Sequence, residues 1–116
     1  MKASLVLLTV SIFASALVAA QNVRLCQKMT WWGWTRRYCH EINDPPMDQC
    51  INLDKHWNDA TSKYTVENGC CAFYRHSGCR DRMFVAMNRG DDYLRAAHRF
   101  QLSSLKCARQ GCIVGW

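Results

Sequence analysis

Cys26-Gln27-Lys28-Met29-Thr30-Trp31-Trp32-Gly33, with Trp57-Asn58-Asp59-Ala60-Thr61-Ser62 following it, has a counterpart later in the chain. The second set runs Cys71-Ala72-Phe73-Tyr74, then Cys79, then Phe100-Gln101-Leu102-Ser103-Ser104-Leu105-Lys106-Cys107. Each set is built on a cysteine, an aromatic residue and a late serine. Duplication of this kind predicts two equivalent halves sharing one core. Neither half carries an obvious catalytic set.

Outward from these halves, residues 1–20 read as a secretory signal peptide. Lys2 supplies a basic start, Leu5-Val6-Leu7-Leu8-Thr9-Val10 begins an apolar stretch, and Val18-Ala19-Ala20 places small side chains before a cut ahead of Gln21. Nothing after Gln21 is apolar enough to span a bilayer, so signal removal leaves no transmembrane segment. Residues 21–116 form one small domain, with motif one over about 21–68 and motif two over about 69–116. Its core is thin, because small domains bury a smaller share of their surface.

All eight cysteines, Cys26, Cys39, Cys50, Cys70, Cys71, Cys79, Cys107 and Cys112, follow the signal. An even count in an oxidising compartment predicts four disulfides, each contributing about 2–4 kcal/mol. Zinc is the competing use of cysteine. The adjacent pair Cys70-Cys71 and the lack of a C-x2-C pair argue against a tetrahedral site. Connectivity is open from spacing alone, with Cys71–Cys107 the one pairing singled out, as a link between the first and last strands of one motif.

The net charge is +6, one of which belongs to Lys2 in the signal. A basic secreted domain is drawn to anionic surfaces. No block of like charges marks a nucleic-acid arm, so nucleic acid is not an expected partner.

Alternation and turn residues predict strands over Val23–Cys26, Tyr38–Ile42, Cys50–Leu53, Cys71–Arg75, Arg82–Met87 and Leu102–Cys107. Turns fall at Asn43-Asp44-Pro45-Pro46, Asn68-Gly69 and Asn88-Arg89-Gly90-Asp91. A short helical turn is expected over Tyr93–Phe100, capped by Asp91 or Asp92, with Leu94 and Ala97 inward and Arg95 and Arg99 outward. A weaker one falls at Asp54-Lys55-His56-Trp57. The whole is an all-β sandwich or barrel with one or two helical turns.

In order and duplication, the halves resemble the two Greek-key motifs of a βγ-crystallin-like domain over residues 23–107. Trp31-Trp32-Gly33 matches the aromatic-x-Gly turn, Asp81 stands where the second motif would hold its turn glycine, Trp57–Ser62 matches the late segment of the first motif, and Leu102-Ser103-Ser104 the closing serine of the second. The chain is similar to secreted cysteine-rich fungal effectors of crystallin type, and also to antimicrobial proteins, yeast killer toxins and metalloprotease inhibitors of that fold. The resemblance implies a late serine that grips a folded-over hairpin and an aromatic that covers it. It also implies a calcium loop of the form Asn/Asp-Asn/Asp-x-x-Ser/Thr-Ser. Asn58, Asp59 and Ser62 keep part of that pattern, but Lys63 replaces its last serine and Arg99-Phe100-Gln101 lacks the oxygens in the second half. No metal or other cofactor is therefore expected.

Among candidate sites, His40, Glu41, Arg37 and His98 are the residue types of acid–base RNA cleavage, but no spacing brings them together. No G-x-S-x-G elbow is present. Trp31, Trp32 and Trp34 crowd one short stretch, followed by Arg36 and Arg37. In a strand or tight hairpin, Trp32 and Trp34 share one face and Trp31 takes the other, and a small domain cannot bury both. These five residues are the expected contact surface. The chain reads as a monomer that acts by binding rather than by catalysis. Its target is a host apoplastic protein or receptor, or alternatively an anionic microbial surface. A third reading, protease inhibition, would use the loop from Asn43 to Gln49.

Overall fold

The computed structural model describes residues 20–116, without the side chains of residues 29–31; the expected signal peptide lies outside the described residues. Eight strands follow in order: β1 (Asn22–Trp31), β2 (Trp34–Asn43), β3 (Ile51–Asn52), β4 (Lys63–Glu67), β5 (Cys70–His76), β6 (Arg80–Met87), β7 (Gly90–Asp91) and β8 (Ser104–Ala108). They form two antiparallel four-stranded sheets, ordered β2-β1-β4-β7 and β3-β8-β5-β6. Each sheet takes three strands from one half of the chain and a two-residue strand from the other. This is a pair of interlocked Greek keys, as expected.

Alternation decides which side chains meet between the sheets. Val23 and Leu25 on β1, Tyr64 and Val66 on β4, Cys71 and Phe73 on β5, and Leu105 and Cys107 on β8 are all buried. Phe73 sits at the centre, its ring 5.2 Å from Tyr64 and 4.8 Å from Phe84. Leu94 and Leu102 close the core from the connections. Gln21, also buried, donates its amide to the carbonyls of Cys70 and Ala108, each at 3.3 Å.

The four disulfides are Cys26–Cys39, Cys50–Cys79, Cys70–Cys112 and Cys71–Cys107. The singled-out Cys71–Cys107 bond does join the first and last strands of the second motif, at directly opposed positions.

The duplication is repeated in the backbone hydrogen bonds. Asp59 N–H donates to the Leu102 carbonyl at 2.9 Å, and Phe100 N–H donates to Thr61 at 3.0 Å. Leu94 N–H donates to Ser62 and Leu53 N–H to Ser103, at 2.8 and 3.0 Å. Asp59 and Phe100 share a left-handed backbone, with φ of 56° and 59°. Even the ring stacks recur: His40 on Trp57 in one half, Phe84 against His98 in the other.

Among the described residues no helix is present, and the expected helical segment shrinks to one hydrogen-bonded turn in each half. Trp57 and Asn58 N–H reach the Asp54 carbonyl, and His98 and Arg99 N–H reach that of Arg95. Leu94 is buried as expected, but Ala97 is exposed. The turn ends at Phe100, whose positive φ aims its N–H at Thr61 rather than along a helix. The stretch Lys63–Glu67, given no strand from sequence, is β4, and Gly90-Asp91, read as turn, is β7.

The halves diverge at their hairpins. The β5–β6 hairpin folds over through a register shift at Phe73/Tyr74 and positive φ at Gly78, Cys79 and Asp81. Asp81 thus adopts the backbone expected of the missing glycine. Ser104, fully buried, donates its hydroxyl to the His76 carbonyl at 2.6 Å and accepts from Cys79 N–H at 2.9 Å. Of the two serines in the expected closing segment, Ser104 grips the hairpin, while the Ser103 hydroxyl donates to Asp59 at 3.3 Å. In the first half, register places Lys63 opposite Cys26 as Ser104 lies opposite Tyr74. Lysine offers no hydroxyl to a hairpin, and the β1–β2 hairpin stays unfolded, running through ten register pairs.

Candidate functional site

That unfolded hairpin builds the candidate site. From Asn22 to Cys26, β1 pairs with both β2 and β4; from Gln27 to Trp31 its only partner is β2. Five residue steps project a two-stranded ribbon about 17 Å beyond its sheet. Trp32 and Gly33 form the tip, with φ of 46° and 78°, the paired positive angles of a two-residue hairpin turn. Glycine supplies one of these without strain, and Trp32 is held in the other.

The tip lifts aromatics into water. Trp32 is 91% exposed and Trp34 78%, and Tyr38 lies further down the same strand at 41%. Trp34, Arg36 and Tyr38 follow on one face of β2 at period two, while Arg37 lies on the other face opposite Lys28. Register pairs Trp31 with Trp34, so positions 31 and 34 share a face and Trp32 occupies the turn. The expectation that Trp32 and Trp34 share a face is thereby corrected, because the chain reverses between them.

Charge is one-sided here. Among the described residues, Lys28, Arg36 and Arg37 belong to no ion pair, and no acid lies between Gln27 and His40. The nearest sequence acid, Glu41, pairs with Arg24 at 3.8 Å. Asp92 pairs with Lys63 at 3.0 Å. That lysine, with a weaker pull from Arg37, holds the Asp92 carboxyl below the ordinary aspartate range.

The other sequence candidates are dispersed. Asp59 accepts the Ser103 hydroxyl, Asn58 approaches Asp59 at 3.5 Å, and the Ser62 hydroxyl donates to the Cys26 carbonyl at 3.4 Å. The Asp59 carboxylate and the Ser62 hydroxyl are thus engaged with neighbouring protein groups. Among the described residues, no group of three or more His, Cys, Asp or Glu is placed to hold a metal. His40 stacks on Trp57 in the first half and His98 packs against Phe84 in the second. The Asn43–Gln49 loop is sewn down: Asp44 N–H donates to Gln21, Asp48 N–H to Cys107, and the Trp116 indole N–H to the Asp48 carboxylate at 2.7 Å. Asp44 also pairs with Arg109.

No family model matches the chain, and no curated protein matches its sequence. Among solved structures it is similar to the crystal structure of a betagamma-crystallin domain from Flavobacterium johnsoniae. The TM-score is 0.54 at 13% identity, covering 78% of this chain and 98% of that one. The fold is therefore that of a βγ-crystallin domain. In this chain it carries four disulfides, which fit an oxidising, extracellular setting. No helix among the described residues is long and apolar enough to cross a membrane.

Proposed function

We propose that this chain is a secreted, effector-type protein that works by binding an extracellular host protein, with the β1–β2 ribbon as its contact surface. The observation that carries this reading is the tip: two strongly exposed indoles beside three cations that form no ion pair among the described residues. Trp, Tyr and Arg dominate binding hot spots because they bury large areas and make directed polar contacts. Burying one indole of about 200 Å² is worth about 5 kcal/mol before the costs of association. The cations select a partner with an acidic rim. Cross-strand Cys26–Cys39 braces the base of the ribbon, which lowers the ordering cost of binding. The test is capture of partners from apoplastic fluid by the oxidised protein. Trp34→Ala with Arg37→Ala is expected to keep the fold and lose capture; unaltered capture refutes the assignment.

A second reading, action on anionic microbial membranes, is favoured by the lack of acids on the same tip. Indoles sit at the depth of lipid headgroups and Lys/Arg pair with anionic lipid. Leakage from anionic but not zwitterionic vesicles, weakening with salt, would move the target from protein to lipid.

A further inference from the structure

A cleft of about 470 Å³ opens between β4, β6, β7 and the turn that follows, lined by Tyr64, Phe84, Arg89, Asp91, Arg95 and His98 among others. We propose that this cleft binds an acidic sugar, a uronate unit of an anionic glycan. Its volume falls in the ordinary range for small-ligand sites.

Three features converge on that chemistry. The first is an aromatic wall: the half-buried His98 ring packs against Phe84 at 5.0 Å and 32°, and both line the cleft. Such a surface suits the apolar C–H face of a pyranose. The second is a pair of guanidinium groups. Arg89 is anchored by a hydrogen bond from one nitrogen to the Val85 carbonyl at 2.8 Å and also engages the Tyr64 phenol, and a guanidinium carries donors beyond those two contacts. The Arg95 side chain is exposed and makes no ion pair or hydrogen bond among the described residues. A carboxylate fits the guanidinium fork in bidentate fashion.

The third is Asp91 on the same wall. One of its oxygens accepts from Tyr93 N–H at 3.2 Å, and the other is free to accept from sugar hydroxyls. Gly90 lets β7 lie close on β4 beside it, since a Cβ there would stand 2.7 Å from the Tyr64 carbonyl. A bare inorganic anion would leave the rings uncovered and the free Asp91 oxygen without a donor. A neutral sugar would leave both arginines without a partner. The uronate alone uses all three features. The site belongs to the sandwich rather than to the ribbon, so it stands or falls independently of the ribbon's target.

The test is an NMR titration of the oxidised protein with a galacturonate trisaccharide. Its methyl ester, inorganic sulfate and a nucleoside monophosphate serve as comparison probes. The acid is expected to shift Tyr64, Phe84, Arg89 and His98 resonances, with at least tenfold weaker binding of the ester. Arg95→Glu, on an exposed side chain, is expected to weaken the acid at least tenfold without altering the unfolding midpoint. No shift at these residues with 10 mM trisaccharide, on the order of the weakest affinities worth assigning, overturns the proposal. So does equal binding of the ester, or tighter binding of sulfate or nucleotide.

Discussion

Replacing Ser104 with Ala removes one hydroxyl and leaves two backbone groups without partners. The hydroxyl donates to His76 at 2.6 Å and accepts from Cys79 N–H at 2.9 Å, in a fully buried residue. The Cys50–Cys79 bond ties the folded hairpin to β3's end of the sheet, so the hairpin cannot swing out to hydrate them. Two lost hydrogen bonds, with their donor and acceptor stranded, cost about 2–3 kcal/mol. In a domain of about 100 residues that lowers the melting temperature by roughly 10–20 °C. Thermal and urea unfolding of the oxidised variant give the magnitude, and amide exchange at Cys79 gives the location. Ser62→Ala, which removes a single 3.4 Å bond, is the comparator and should cost less than about 1 kcal/mol. A Ser104→Ala loss below about 0.5 kcal/mol, or unchanged exchange at Cys79, refutes the view that this serine grips the hairpin.

Gly69→Ala forces a Cβ to within 2.5 Å of the Ala108 carbonyl and of the Gln21 side chain, at φ of 154°, and should destabilise by more than about 2 kcal/mol in urea unfolding. Removing Cys70–Cys112, which spans 42 residues, should cost up to about 4 kcal/mol by chain entropy, read as a lower urea midpoint. Burial raises the pKa of Tyr64 above the ordinary value of 10.0, despite the opposing pull of Arg89. The folded state therefore holds the neutral phenol, and its contribution is intact below pH 10 and lost as pH rises through the folded pKa. Alkaline titration followed by tyrosinate absorbance and circular dichroism should show stability falling only above pH 10, and a fall beginning near neutrality would contradict this. Lys63→Met should return the Asp92 carboxyl toward the ordinary aspartate range, visible in a carbon-detected titration.

The duplication was legible because it is local: the late serines, the cysteines and the turn residues recur in order, and those positions set the repeated backbone bonds. Strands whose alternate residues reach the core, such as Val23–Cys26 and Cys71–Arg75, were legible for the same reason. The ribbon's length was not, because among the described residues every side chain from Trp32 to Tyr38 is exposed and alternation carries no signal. Lys63–Glu67 was missed, since Tyr64 and Val66 are only two apolar residues in a polar neighbourhood. Which of Ser103 and Ser104 faces the hairpin depends on a single residue of register, and pairing decides that rather than composition. The cleft was invisible for another reason: Tyr64, Phe84, Arg89 and Arg95 are brought together only when β7 crosses to the other half's sheet.

That crossing has a consequence for how the molecule comes to be made. Three of the four disulfides close within one half, while Cys50–Cys79 alone joins the first half to the second. Cys50 precedes β3, and β3 finds its partner only on β8, synthesised near the end of the chain. Cys26–Cys39 needs only the first hairpin in place, whereas the native seat of Cys50, beside β3, is complete only once β8 is present. Once closed, that bond makes a chain nicked between Asn68 and Gly69 a single covalent molecule still, separable only by a reductant.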